Sequence, residues 1–283
     1  MSRDLLDEIG YLTNFNDFLD LVECIYRDAD IYDVIESHRL IVVGGQALAF
    51  WYARYLLNDG QFDQFQAAYS NDLDFFGIKS SVEFCESKLG LDFNRPQNFD
   101  PTVNLAMLIC EIGSPVRQVV IDIIHEVGGL EREEVYHGVE LLPVRGLSVP
   151  VINPLLCLKS RIHNFYAPYK ADKRNELERI LLCIRFVNAY LTENIQGGGW
   201  DRVISKHCQS IFDLCLSVEG RKLYCKNGVD LLRCIPDLPE LMHPAFIEKQ
   251  LPRQTHNIAL ERERMHTQLV RFNGFDGRHT FKP

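Results

Sequence analysis

Three aspartates and a pair of glycines carry most of the chemistry open to this 283-residue chain. Asp72 and Asp74 lie in Ser70-Asn71-Asp72-Leu73-Asp74-Phe75. In a strand, residues i and i+2 share a face, so both carboxylates point one way while Leu73 and Phe75 point the other. Carboxylates that close repel each other unless a cation lies between them. Mg²⁺ suits the pair, because it takes oxygen ligands and keeps water or substrate phosphate in its shell. Asp122 interrupts the apolar run Val119-Val120-Ile121-Asp122-Ile123-Ile124, where a carboxylate is costly to bury unless it is paired or bound to metal. The apolar run Leu40-Ile41-Val42-Val43 stops at Gly44-Gly45, and a helical pattern opens at once with Gln46-Ala47-Leu48-Ala49. Glycine lets a backbone approach a ligand closely, and a helix start offers unpaired N–H groups to phosphate oxygens. Each feature also has a plainer reading: a solvated strand end for Asp72 and Asp74, a salt bridge for Asp122, a tight turn for the glycines.

Cations gather later in the chain. Lys159 and Arg161 follow Asn153-Pro154-Leu155-Leu156-Cys157-Leu158. A flexible ammonium and a planar guanidinium suit phosphate, although a solvated helix face explains them equally well. Lys170, Lys173, Arg174 and Arg179 crowd one segment, and could track a nucleic-acid backbone or be surface charge. His125 and His163 are expected to be structural. Phe50, Trp51 and Tyr52 are expected in a helix core rather than in a base-stacking platform.

The elements that must position these residues follow from periodicity. Residues 14–36 alternate apolar and charged positions at helical spacing. Strands are expected over Leu40–Val43 and Leu73–Ile78, a polar loop over 58–70, and a short helix over Ser81–Leu89. Residues 91–101 are expected to be irregular. Val103–Glu111 and Arg117–Glu126 read as strands joined around Gly113-Ser114-Pro115, and 135–151 as further short strands. From Pro154 onward the period is helical over Leu155–Phe165, Asp172–Leu191, Trp200–Leu216 and Phe246–Phe272, with Pro252 breaking or kinking the last. Gly197-Gly198-Gly199 reads as a flexible joint. The expected fold class is α+β, a small mixed sheet flanked by helices in residues 1–150 and a helical domain in residues 151–283.

Composition narrows the classes. The net charge of −9 argues against indiscriminate nucleic-acid binding. Its distribution is uneven: residues 1–150 hold 10 Lys+Arg against 25 Asp+Glu, and residues 151–283 hold 20 against 14. That asymmetry fits metal in the front half and a polyanion in the back half, or two solvated surfaces of different composition. Nine scattered cysteines without a C-x-x-C pair read as buried reduced thiols, and His207, Cys208 and Cys215 match no zinc spacing. No apolar run approaches the roughly 20 residues of a membrane span. Met1-Ser2-Arg3-Asp4 lacks the apolar core of a signal peptide, so the expected compartment is cytoplasmic.

The order of these parts resembles the nucleotidyltransferase superfamily, and most closely its AbiEii-like group, which includes toxins of type IV toxin–antitoxin systems. The pattern there is an apolar strand, G-G, a helix, then S/T-x-D-x-D before an aromatic or apolar residue. Here it reads Gly44-Gly45, then Ser70-x-Asp72-x-Asp74-Phe75. The helix carrying Lys159 matches a lysine-bearing helix of the group, and the resemblance spans residues 38–185. It departs in a longer stretch between Gly45 and Asp72, and in Arg174-Asn175 where the group has Lys-Asp. The resemblance implies a metal-dependent nucleotidyltransferase that moves a nucleoside monophosphate from an NTP such as ATP to an acceptor hydroxyl. Asp72, Asp74 and Asp122 would hold two Mg²⁺ ions and act as catalytic residues with Lys159. Gly44, Gly45, Ser70, Lys159 and Arg161 would bind the nucleotide. The implied partners are the nucleoside triphosphate, tRNA or another RNA, and a cognate antitoxin protein, without a membrane. Two alternatives stand beside this: a non-catalytic nucleotide- or partner-binding protein of the same fold, and a small-molecule (antibiotic) nucleotidyltransferase.

Overall fold

Alternation of apolar and polar residues builds a single mixed sheet. Its strands are β1 (Ile41–Val42), β2 (Asp72–Phe76), β3 (Asn104–Ile112), β4 (Arg117–Ile124), β5 (Val139–Val144) and β6 (Leu147–Ile152), in the spatial order β3-β4-β2-β1-β6-β5. The computed structural model describes residues 3–56, 68, 72–97, 102–113, 116–168 and 173–273. Ser70, Lys170 and all of the expected 58–70 loop except Ala68 lie outside the described residues. The expected α+β architecture, a small mixed sheet with flanking helices and a helical C-terminal half, is the one observed.

The central strands pair β2 parallel to β4 and antiparallel to β1, while β1 runs parallel to β6. Leu73, Phe75, Val119, Ile121 and Ile123 are fully or nearly fully buried on one face. Burying a side chain of this size contributes about 1.5–3 kcal/mol, so these residues hold the strands in register. Helix α1 (Arg3–Tyr26) packs on the same core through Tyr26, whose ring lies 6.4 Å from that of Phe75 and whose hydroxyl donates to the Leu40 carbonyl at 3.2 Å. Helix α2 (Gly44–Tyr55) is buried all round from Gly45 to Tyr52, which explains its lack of a polar stripe. Phe50, Trp51 and Tyr52 are core residues as expected, and the Trp51 indole N–H donates to the Ile152 carbonyl at 2.8 Å. Helix α3 (Lys79–Leu89) follows β2 and ends at Gly90 in the left-handed region.

Several local expectations change in the structure. The helical period over 14–36 breaks after Tyr26, because Asp28 takes a positive φ and the Asp30 carboxylate caps a new turn at the Tyr32 N–H. Within 135–151, residues up to His137 belong to α4 (Arg132–His137), a helix rather than a strand. The Glu134 carboxylate accepts from the Glu131 N–H at 2.9 Å and starts this helix. Strand β6 then runs across residue 150 and stays with the sheet. Helix α5 (Pro154–Tyr166) begins where the buried Asn153 side chain accepts from the Leu156 N–H at 3.0 Å.

Two compact units divide the chain, Met1–Ser160 and Arg161–Pro283. The second contains α6 (Lys173–Gly198), α7 (Arg202–Leu216), α8 (Val218–Asn227) and α9 (Leu251–Asn273). Ile180, Cys183, Ile184, Val187, Leu191 and Ile195 form the buried stripe of α6, and Ile204, Cys208, Ile211, Phe212 and Cys215 that of α7. The glycines expected to form a joint instead continue α6 through Gly198, and the chain turns at Gly199, where φ is +75°. The side chain of Asp201 then caps α7 at the Ile204 N–H. Pro252 sits in the first turn of α9, directly after a π-helical turn, Phe246–Gln250. The helical hydrogen-bonding pattern thus changes from π to α next to the proline, which has no N–H to donate.

Candidate active site

The three aspartates share one face of the sheet because register adds to alternation. Asp74 on β2 pairs directly with Asp122 on β4, and Asp72 pairs with Val120. In-register residues of neighbouring strands point to the same face, so Asp72, Asp74, Val120 and Asp122 share it. Asp74 and Asp122 are half-buried, and Asp72 is exposed at the strand end. Partial burial raises the Asp122 carboxyl above its usual range, and the nearby Asp72 carboxylate raises it further. Burial raises the Asp72 carboxyl as well.

Gly44 lies against the same carboxylates. Its φ is +65°, and a Cβ there would overlap the Asp74 side chain, lying 2.7 Å from its Cγ. The preceding Val43 N–H donates to the Asp74 carbonyl at 2.9 Å, so backbone pairing holds the glycine turn against β2. The turn opens α2, whose first N–H groups have no intrahelical acceptor. Phe76 lies on the same face as Asp74 and meets Tyr136 of α4 edge-on at 5.1 Å.

A divalent metal fits this donor set in kind and in openness. The donors are all carboxylate oxygens, and like charges already repel across them. Among the described residues no three His, Cys, Asp or Glu side chains are grouped so as to hold a metal ion together. An open arrangement of one or two carboxylates that leaves positions for water and phosphate is what Mg²⁺ takes.

The expected phosphate-binding cations are engaged elsewhere. The Lys159 ammonium contacts both Glu134 carboxylate oxygens, at 2.6 and 2.7 Å. Arg161 is buried and lies 3.4 Å from Glu176, which Arg179 also meets at 3.3 Å. Lys173 donates to the carbonyls of Phe165 and Ala167 at 2.5 and 2.7 Å, capping the C-terminal turn of α5. Arg174 is exposed and pairs with Glu178 at 3.3 Å. His163 is exposed, and His125, just past β4, lies 3.7 Å from Glu126. All nine cysteines are free; burial pushes the Cys208 and Cys215 thiols up to about 12, which suits core residues rather than metal ligands.

One polar contact to the aspartates has no signal in the sequence. The Asn104 amide donates to Asp122 Oδ1 at 3.1 Å across β3 and β4. Asparagine at a strand start is ordinary turn chemistry, so only the strand register reveals its direction.

Comparison with known proteins adds a loose likeness. No protein-family signature and no curated protein sequence matches the chain. Among solved structures it is similar to an antigenic nucleotidyltransferase-like protein from Paracoccidioides brasiliensis, with 10% identity over 80% of this chain and 96% of that one and a TM-score of 0.41. It is also similar to the Megavirus polyadenylate synthase, with 14% identity, a TM-score of 0.37, and coverage of 80% of this chain but 49% of that one. At these TM-scores the likeness carries no weight for function, which is read from the carboxylate face itself.

Proposed function

We propose that the protein is a Mg²⁺-dependent nucleotidyltransferase that transfers a nucleoside monophosphate from an NTP to an acceptor hydroxyl. The observation that carries this reading is the in-register pairing of Asp74 with Asp122, with Asp72 on the same face and the Gly44 turn packed against Asp74. Asp72, Asp74 and Asp122 would hold the metal, which when bound neutralises the triphosphate and lowers the pKa of the attacking hydroxyl. The Gly44-Gly45 turn would bring backbone N–H groups to the phosphates at the start of α2. The acceptor oxygen attacks the α-phosphorus, the bond to the bridging oxygen of the β-phosphate breaks, and pyrophosphate leaves. Positioning and electrostatics supply most of the catalysis in such transfers. The acceptor in this reading is an RNA such as tRNA, as for a toxin of the AbiEii-like group with an antitoxin partner.

A second reading, nucleotide binding without turnover, draws on the engagement of Lys159 by Glu134 and the burial of Arg161. Incubating the protein with each α-labelled NTP, Mg²⁺ and a cell extract separates the two. Transfer of label with release of pyrophosphate, absent in Asp74→Ala, supports catalysis. Binding of NTP with a metal-dependent rise in melting temperature but no labelled product supports the second reading. Full activity in Asp74→Ala rules out the assigned site.

A further inference from the structure

We infer that Asn104 is a positioning residue for Asp122, aimed at it by a β-bulge, and that it fixes which carboxylate oxygen is offered to the metal. The inference rests on the metal-site reading above. From Ala106 to Ile112, β3 pairs with β4 in unbroken antiparallel register, with Ala106 opposite Ile123 and Met107 opposite Asp122. Continued without interruption, this register would set Leu105 opposite Ile124 and turn Asn104 to the other face, where Ala106, Ile121 and Ile123 are buried. The register instead shifts between Asn104 and Ala106, so that Asn104 stands opposite Ile124 and Leu105 is the extra residue. Ile124 is two residues from Asp122 and shares its face, so the shift moves the Asn104 amide from the core side to the carboxylate side. The outcome is the 3.1 Å hydrogen bond from Asn104 Nδ2 to Asp122 Oδ1.

The position of the bulge is also anchored. The Asn104 N–H donates to the Thr102 hydroxyl at 3.1 Å, and the His125 N–H donates to the Val103 carbonyl at 3.0 Å. These contacts hold the start of β3 in the shifted register. A neutral amide suits its place: it donates one hydrogen bond to a carboxylate without adding charge beside Asp72 and Asp74. It occupies Oδ1 and leaves Oδ2 as the oxygen free to turn toward a cation. Outer partners of metal-binding carboxylates act in this way, and their loss typically lowers metal affinity about 10–100-fold.

Mn²⁺ titration followed by electron paramagnetic resonance tests this on the full chain. Wild type is compared with Asn104→Leu, which keeps the bulk and removes the donor, and with Asn104→Gln, which keeps the donor. Thr102→Val tests the anchor of the bulge. The expected result is a loss of Mn²⁺ affinity of about 10–100-fold in Asn104→Leu, with at least partial recovery in Asn104→Gln. A smaller loss in the same direction is expected in Thr102→Val, which removes one anchor of the shifted register. If Asn104→Leu shows a lowered melting temperature, Asn104→Ala replaces it as the donor-free variant. Unchanged affinity in the donor-free variant, with Mn²⁺ binding lost in Asp122→Asn, overturns the role of Asn104 and leaves the metal site standing. Equal losses in the donor-free and Gln variants assign Asn104 a purely steric part and also overturn it. Absence of Mn²⁺ binding in wild type overturns the metal-site reading and this inference with it.

Discussion

At the scale of single residues, Gly44 is the most constrained position in the site. Its positive φ strains any side chain by about 1–2 kcal/mol, and a Cβ would also displace the Asp74 carboxylate. Gly45 does not share the positive φ, although it is buried within α2. Gly44→Ala is therefore expected to lower stability by at least about 1 kcal/mol and to abolish nucleotidyl transfer, because Asp74 must move. Chemical denaturation and the labelled-NTP assay check both effects. Gly44→Ala with full activity would show that Asp74 tolerates displacement, and would remove the steric argument for the turn.

At the scale of elements, the short helix α4 depends on its partners. Six residues are too few for a stable isolated helix, so α4 relies on the Phe76–Tyr136 contact and on the Glu134–Lys159 ion pair to α5. Burial pushes the Glu134 carboxyl up, but hydrogen bonds from Lys159 and from the Glu131 N–H outweigh it and hold the group below its usual range. A lowered folded-state pKa contributes stability above the unfolded value, and that contribution disappears as pH falls through the folded value. Glu134→Gln should thus be less stable than wild type at pH 7, by no more than about 1 kcal/mol for so exposed a pair. The difference should vanish in acid, below the ordinary carboxylate range. Lys159→Met should cost a similar amount, and the double variant little more than either alone. Additive costs in this cycle would mean that the two side chains act separately, and would return Lys159 to the nucleotide.

At the scale of the whole molecule, the charge asymmetry of the halves needs reinterpretation through burial. Arg161 and Arg179 are drawn into contact with Glu176, and Lys173 into capping carbonyls, so much of the positive charge near residues 161–179 serves the second unit's own structure. Among the described residues of that group, Arg174 is exposed to solvent at 91%. For an RNA acceptor, the slope of log affinity against log salt should be steep, and Arg174→Ala should flatten it by at most about 0.7. Lys173→Ala should instead act mainly on melting temperature. Filter binding of tRNA at several salt concentrations measures both. Absence of tRNA binding by wild type at low salt would eliminate the RNA acceptor in favour of small hydroxyl compounds or protein targets.

The sequence by itself determined what is local. Alternation assigned Asp72 and Asp74 to one face and Leu73 and Phe75 to the core, and the Val42-Val43-Gly44-Gly45 junction marked the strand-to-helix turn. The helical period after Pro154 likewise announced the second half. Tertiary structure decided what depends on pairing between distant segments. Asp122 came to stand beside Asp74 only because β4 settled in parallel register beside β2. Lys159 and Arg161 looked like equivalent phosphate ligands, but their carboxylate partners lie 25 and 15 residues away in the chain, and burial separates their roles. Gly197-Gly198-Gly199 carried a breaker signal that the helical stripe of α6 overrode through Gly198, since propensity is weak beside packing. The bulge that turns Asn104 toward Asp122 left no mark in composition or period. It exists only in the register between β3 and β4, which is fixed by side-chain burial on the opposite face of the sheet.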